Sequence, residues 1–241
     1  AVTRARASLP IDAPLSGTLV RRYKRFLADV ELPDGRRVTA HCPDPGRMRG
    51  LLRPGGAVRL SASDDPRRKL KHTLEMIRVS NTWVGVNAGR ANAIARLAIG
   101  AGRVPALGGY EELRAEVRIE AGSRLDFALS GHRGGAPDAI VEVKSVTWVE
   151  AGKGKFPDAV TARGTKHAEL LARLAGQGTR TALLFIAQRG DCRSVEPADE
   201  VDGAYGAALR RAAAAGVEIL ALGTRVSPTR ILPTGALPVL L

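Results

Sequence analysis

Between residues 19 and 87 apolar and polar positions alternate in short runs broken by turn residues, the period of half-buried strands. Residues 19–32 read as one long strand, Pro33-Asp34-Gly35 as a hairpin turn and 36–41 as the return strand. Strands over 57–61, 70–79 and 82–86 follow, with a short helix expected over 46–52. Five strands in so short a stretch suit a small closed barrel of the OB type better than an SH3-like barrel or part of a larger sheet. After residue 88 the pattern changes. Residues 91–101 read as a helix and 115–119, 124–129 and 139–146 as strands; 165–175 form an amphipathic helix with Leu170, Leu171 and Leu174 inward. A buried strand over 181–187, a helix over 205–215 closed by Gly216 and a strand over 217–222 complete the pattern. The expectation is a barrel domain over 1–88 and an α/β domain over 89–241.

The chain has 241 residues, 44% hydrophobic and 25% charged, which is ordinary globular composition. Its charge is unusual: 37 bases against 24 acids leave +13. The excess is uneven. Residues 1–90 hold 18 bases and 8 acids, net +10, and residues 91–241 hold 19 and 16, net +3. A basic half of this kind faces polyanions, nucleic acid before anionic membrane. Most of the bases are Arg in an Ala- and Gly-rich chain, as a GC-rich genome produces, but codon bias does not place the excess in one half. Cys42 and Cys192 form neither a disulfide framework nor a zinc pattern. The first sixteen residues, with Arg4, Arg6, Pro10 and Pro14, lack the apolar core of a secretory leader, and no run approaches the roughly 20 apolar residues of a membrane span. A reduced cytoplasmic protein without a membrane partner is expected.

Chemistry concentrates on two expected strands. In 124–129 the alternation sets Asp126 on the face opposite Leu125, Phe127 and Leu129. In 140–145 it sets Glu142 and Lys144 together, away from Val141 and Val143. The connection, with Gly131, Gly134, Gly135 and Pro137, lets the strands pair and brings Asp126 beside Glu142. Two carboxylates offer hard oxygens to Mg2+ or Mn2+, and a neighbouring Lys can orient water or steady developing phosphoryl charge. A Glu-x-Lys of this kind is also the pattern of a solvated ion pair. The context favours the site: the Glu142 strand is otherwise apolar, and Arg163, Lys166 and His167 stand at a helix start, where free N–H groups favour phosphate. Glu116 is either a third acid or a surface residue.

The acid followed by Glu-x-Lys on successive strands resembles the PD-(D/E)xK nuclease superfamily. Longer blocks are similar to the sugar fermentation stimulation protein A family: Arg22-Tyr23-Lys24-Arg25-Phe26-Leu27-Ala28-Asp29-Val30, His41-Cys42-Pro43 with Gly46 and Met48, Asp126-Phe127, Glu142-Val143-Lys144-Ser145-Val146, Phe156-Pro157-Asp158-Ala159-Val160-Thr161, and Arg163-Gly164 with Lys166-His167. The resemblance implies an OB-like barrel followed by a PD-(D/E)xK nuclease-like α/β domain. It also implies DNA binding without sequence preference and a regulatory role in sugar (maltose) metabolism. The chain departs from the family pattern at Asp44-Pro45, where Asn and a small hydroxyl residue are usual, at Ala162, where an acid is usual, and at Thr165, where Gln is usual.

The residues expected to contact nucleic acid are Arg22, Lys24, Arg25, Arg47, Lys69, Lys71, Lys166 and His167, mostly in or beside loops. Aromatic residues are only 4% of the chain, so backbone electrostatics rather than base stacking should dominate, with Phe26 packed in the barrel. His41 and His72 have no partner at ligand spacing, Ser145 has no triad, and the Gly152-Lys153-Gly154-Lys155 run is not a P-loop. The principal reading is therefore a nonspecific DNA-binding protein. Its alternatives are a Mg2+-dependent nuclease in which Asp126 and Glu142 hold the metal and Lys144 assists, and an RNA-binding or RNA-processing protein. The pattern leaves the oligomeric state open.

Overall fold

A computed structural model of the chain describes residues 7–120 and 123–241, and Arg4 and Arg6 lie outside the described residues. After a short β1 (Leu9–Pro10), the strands β2 (Leu15–Tyr23), β3 (Leu27–Glu31), β4 (Arg37–His41), β5 (Ala57–Ala62) and β6 (His72–Val79) form the first unit. Antiparallel pairing joins β2, β3 and β4, and a parallel step from Ala40 and His41 to His72 and Thr73 joins β4 to β6. Antiparallel β6–β5 and β5–β2 pairs then close a five-stranded barrel of the OB type. Its interior is filled by Leu19, Val30, Leu60, Leu74 and Ile77, which belong to one buried cluster.

Three sequence expectations change here. The long strand over 19–32 is two strands, because Lys24 and Arg25 take left-handed φ of 48° and 66° and fold the chain back so that Tyr23 faces Leu27. Without Gly or Asn, that turn carries no signal. Residues 46–52 are not helical: Met48 (φ 55°) and Gly50 (φ 73°) break the helix, and Met48 and Leu51 plug the barrel. Finally, β7 (Thr82–Gly85) is not one of the five closing strands. It pairs with β6 outside the ring, with Val84 bridged to Arg189.

The second unit contains α1 (Arg90–Gly100), β8 (Tyr110–Glu120), β9 (Ser123–His132), β10 (Ala139–Val146), β11 (Trp148–Glu150), β12 (Lys153–Phe156), α2 (Ala162–Gly176), β13 (Arg180–Ala187), β14 (Ser194–Pro197), α3 (Asp199–Ala214), β15 (Glu218–Ser227) and β16 (Arg230–Leu237). The main sheet runs β1-β16-β15-β13-β10-β9-β8, with β10, β13 and β15 parallel, and β11-β12-β14 form a small second sheet. Central β13 is buried on both faces, so it is apolar nearly throughout. One core packs α1 on Phe127, Val141 and Leu184; the other packs α2 and α3 on Leu183, Phe185 and Ala221. Ile11 and Ala13 also enter the α1 core. Among the described residues no helix is long and apolar enough to cross a membrane.

The two units are tied together at Asp158. Its Oδ2 accepts the Met48 N–H at 2.7 Å and its carbonyl accepts Arg49 Nε at 3.1 Å, while the Arg49 guanidinium lies 5.2 Å from the Trp148 ring centre. Gly46 must be glycine, since a Cβ there would run into the Asp158 carboxylate. A second tie runs from the Gly85 N–H to the Gln188 carbonyl at 2.9 Å. Asp44 is buried beside this clamp. Burial pushes its carboxyl up from 3.8 to about 6, the Asp158 charge adds to the rise, and the Gly46 N–H and Arg22 oppose it. A carboxyl whose folded-state value is raised holds its proton longer in the folded chain, so stability falls as pH rises from about 4 to about 6. Asp44→Asn keeps an acceptor for the Gly46 N–H. The variant should gain on the order of 1–3 kcal/mol over the parent across that window and keep the gain at pH 7. Urea unfolding of both proteins at pH 4, 6 and 7 checks this; a difference that does not change with pH contradicts it.

Candidate functional site

The site forms where two strands part. β9 and β10 pair antiparallel through Ala139–Leu129, Ile140–Ala128 and Val141–Phe127, and the ladder stops there. The next positions in register are Glu142 and Asp126. Instead of continuing the ladder, the Val143 N–H donates to Asp126 Oδ2 at 2.7 Å, and the Asn92 amide on α1 donates to Oδ1 at 2.7 Å. Beyond Phe127 the strands diverge, so Leu125 joins the α2–α3 core rather than the α1 core that holds Phe127 and Leu129.

Glu142, 3% exposed, is the most buried of these groups. Its Oε1 accepts Lys144 Nζ at 2.5 Å and pairs with His167 Nδ1 at 2.5 Å. Its Oε2 is buried without a hydrogen-bond partner, as is the hydroxyl of Tyr205. Burial acts to raise the Glu142 carboxyl, but the His167 hydrogen bond and the Lys144 charge outweigh it and hold the group below its ordinary value. Asp126 moves the other way. Burial pushes it up, the Glu142 charge adds to that, and the Val143 N–H and Asn92 only partly offset them. Tyr205 is pushed strongly up by burial and by the Glu142 and Asp202 charges. Glu142 is thus held charged by its two partners, whereas Asp126 is disfavoured as a carboxylate, and one oxygen of the pair is unengaged.

The structure brings together Asp126, Glu142, Lys144 and His167. Glu116 lies across from Asp126 on β8, exposed and paired with Arg124 at 2.9 Å. α2 begins with Thr161, whose Oγ1 accepts the Gly164 N–H at 3.1 Å, and its first turn holds no acid. Arg163, Lys166, His167 and Asp126 line one opening of 620 Å3. On the other side a cavity of 370 Å3 runs along the seam and is lined by Arg25 and Asp44 from the barrel, Asn92, Lys144, Phe156 and Asp158. Asn92 lines both.

The expected phosphate contacts divide. Lys24, Arg25, Arg47, Lys69, Lys71 and Lys166 are exposed. Arg22 is turned inward, donating from Nη2 to the Asp44 carbonyl at 2.7 Å, with Nε buried and unpartnered. His167 is 8% exposed and spends its Nδ1 on Glu142. Lys24 and Arg25 in the β2–β3 turn, Arg47 after β4, and Lys69 and Lys71 before β6 all sit at one end of the barrel, because Tyr23, Leu27, His41, Ala62 and His72 are register neighbours there. Phe26 differs from its expected packing: it is 43% exposed at that end. Asn92, Tyr205 and the Asp158 clamp were not singled out in the sequence. Asn92, a polar residue at the edge of the apolar face formed by Ala91, Ala95 and Ile99, was the one available signal.

The site's donors fit a divalent cation. Both side chains are carboxylates, and one oxygen is buried without a partner. Mg2+ is commonly held by one or two carboxylates with water and phosphate completing its shell. Among the described residues no group of three or more His, Cys, Asp or Glu is placed to hold a metal ion, so the carboxylate pair would need water or phosphate to complete the shell.

An OB barrel clamped to an α/β sheet whose parted strands present Asp, Glu and Lys defines a nuclease-like two-domain protein. Residues 20–86 match the model of the SfsA N-terminal OB domain and residues 89–230 that of the sugar fermentation stimulation protein RE domain. The chain belongs to the sugar fermentation stimulation protein family. It is 52% identical over 232 residues to the sugar fermentation stimulation protein homolog of Alkalilimnicola ehrlichii, covering 95% of this chain and 98% of that one. It is 50% identical over 225 residues to the homolog of Geobacter sulfurreducens, covering 93% and 95%. Among solved structures, Pyrococcus furiosus SfsA in complex with Ca2+ superposes with a TM-score of 0.84 at 26% identity, covering 94% of this chain and 96% of that one.

The charge imbalance predicts how the site responds to metal. Adding Mn2+ should raise the melting temperature, by about 2–4 °C for each kcal/mol of binding linkage. Asp126→Asn, whose amide can accept only one of the two hydrogen bonds that Asp126 takes from Val143 and Asn92, should lose most of that rise. Thermal melts of the two proteins with EDTA or Mn2+ check this; an equal rise in both places the ion elsewhere.

Proposed function

We propose that this chain binds nucleic acid without sequence preference, over a divalent-cation site at Asp126 and Glu142. The observation that carries the reading is convergence. Arg25 of the barrel and Lys144 of the sheet line one cavity, and Arg163 and Lys166 line the opening beside Asp126, so cations from both units surround the carboxylate pair. Residues 1–88 supply most of the field and residues 89–241 the carboxylates, and DNA is the expected polymer. Mg2+ or Mn2+ is the expected ion; the P. furiosus relative was solved with Ca2+, which supports a divalent site in this fold. The two buried free cysteines support a reducing, cytoplasmic setting. A regulatory part in sugar use is supported by the relatives' names.

A second reading, phosphodiester hydrolysis, is favoured by the buried, unpartnered Glu142 Oε2 next to Lys144. A divalent ion bound there would neutralise phosphoryl oxygens and lower the pKa of attacking water. Lys144, fixed on Glu142, is positioned to orient that water or to steady charge on the phosphate. Asn92 holds the Asp126 carboxylate in place, and His167 holds that of Glu142.

Two outcomes follow. Affinity for random-sequence DNA should fall by roughly two to three orders of magnitude between 50 and 200 mM salt if about five phosphates are neutralised; a flat profile contradicts the binding reading. Plasmid, linear duplex, single-stranded DNA and RNA incubated with Mg2+ or Mn2+ should give metal-dependent products with the parent and none with Glu142→Ala. Equal products from both proteins, or none at all, remove the hydrolytic reading and leave binding to be judged by salt.

A further inference from the structure

The seam cavity contains more than a nonspecific grip on phosphates requires. Its inner wall includes Lys144 and Asn92, which hydrogen-bond Glu142 and Asp126, so an occupant lies one side chain from the carboxylate pair. At 370 Å3 it is at the small end of ligand sites. Bases inside a duplex are stacked and paired, and only an unpaired or flipped nucleotide enters a recess of this kind. The wall carries carboxylates as well as cations, a mixture that suits a base with its phosphate better than a phosphate alone. Asp44 and Asp158 line the cavity, where carboxylates repel a phosphate but accept hydrogen bonds from exocyclic amino groups. Lys144 and Lys155 in the same wall are paired with Glu142 and with Glu150 and Glu200, and Arg25 adds a cation from the β2–β3 turn.

The residue after Arg25 supplies the second observation. Phe26 is 43% exposed, and its ring centre lies 6.5 Å from that of His41 with a 32° tilt. An aromatic ring held in water between cationic neighbours is a stacking platform for a base. Its place at the barrel end shared by Lys69 and Lys71 puts it along the backbone path those cations mark.

We propose that the seam is the seat of an unpaired nucleotide: the base enters the cavity towards Asp44 and Asp158, Arg25 meets its phosphate, and the neighbouring base stacks on Phe26. Single-stranded or frayed nucleic acid is then the preferred ligand. This rests on the nucleic-acid reading above and specifies its substrate class. A single platform also agrees with the scarcity of aromatic residues.

The test measures fluorescence anisotropy in EDTA with a labelled single-stranded DNA oligonucleotide and a blunt duplex of the same length, so metal and cleavage do not enter. The parent should bind the single strand about tenfold or more tighter, the size of one stacked base. Phe26→Ala, a surface change, should weaken single-strand binding roughly five- to hundredfold and duplex binding by less than about twofold. Ala159→Phe, which fills the cavity, should act in the same direction, with a thermal melt confirming that the variant is folded. Preference for duplex, or equal losses on both ligands, overturns the proposal while leaving nonspecific binding intact. Failure to bind either ligand at low salt, in EDTA and again with Ca2+ in its place, overturns both.

Discussion

Glu142 sits on a central strand, 3% exposed, with one oxygen bonded to Lys144 and His167 and the other bonded to nothing. A carboxylate so withdrawn from water is costly unless it is paired, and removing a partner from such a pair typically costs about 3–5 kcal/mol. Its neighbours follow from that constraint. Lys144 must lie two residues away on the same face, His167 must be buried in the first turns of α2 rather than turned to solvent, and Asp126 must take its hydrogen bonds from Asn92 and the Val143 backbone. The parted ladder between β9 and β10 is the backbone's side of the same arrangement, because an N–H that would serve the sheet serves Asp126 instead.

The clamp at Asp158 gives that centre its surroundings. By gripping the Met48 and Arg49 segment, it fixes the basic end of the barrel against the sheet, and the seam cavity is the space left between them. The clamp places Asp44 near a second carboxylate in a buried position, and burial raises its proton affinity. An acid there has an electrostatic cost, and the charge also gives the cavity wall its acceptor character.

Much of the fold was legible because it rests on local periodicity. The strand over 139–146 appears with those bounds, and the helix over 91–101 and the buried strand over 181–187 shift by one residue at most. What failed was set by tertiary contact. The β2–β3 turn is made by Lys24 and Arg25 in left-handed conformations, which no turn-forming residue announces, and residues 46–52 are held out of a helix by Asp158, more than a hundred positions away. The site was partly legible for the same reason. Strand alternation set Glu142 with Lys144 and the connection brought Asp126 beside them, whereas Asn92, the inward turn of Arg22 and the exposure of Phe26 depend on packing between distant segments.

Whether the buried carboxylate pair holds a metal is decided by anomalous diffraction from crystals grown with Mn2+. One strong anomalous peak beside Asp126 and Glu142 is the expected result. Crystals that show no peak there while Mn2+ binds at other positions would contradict it.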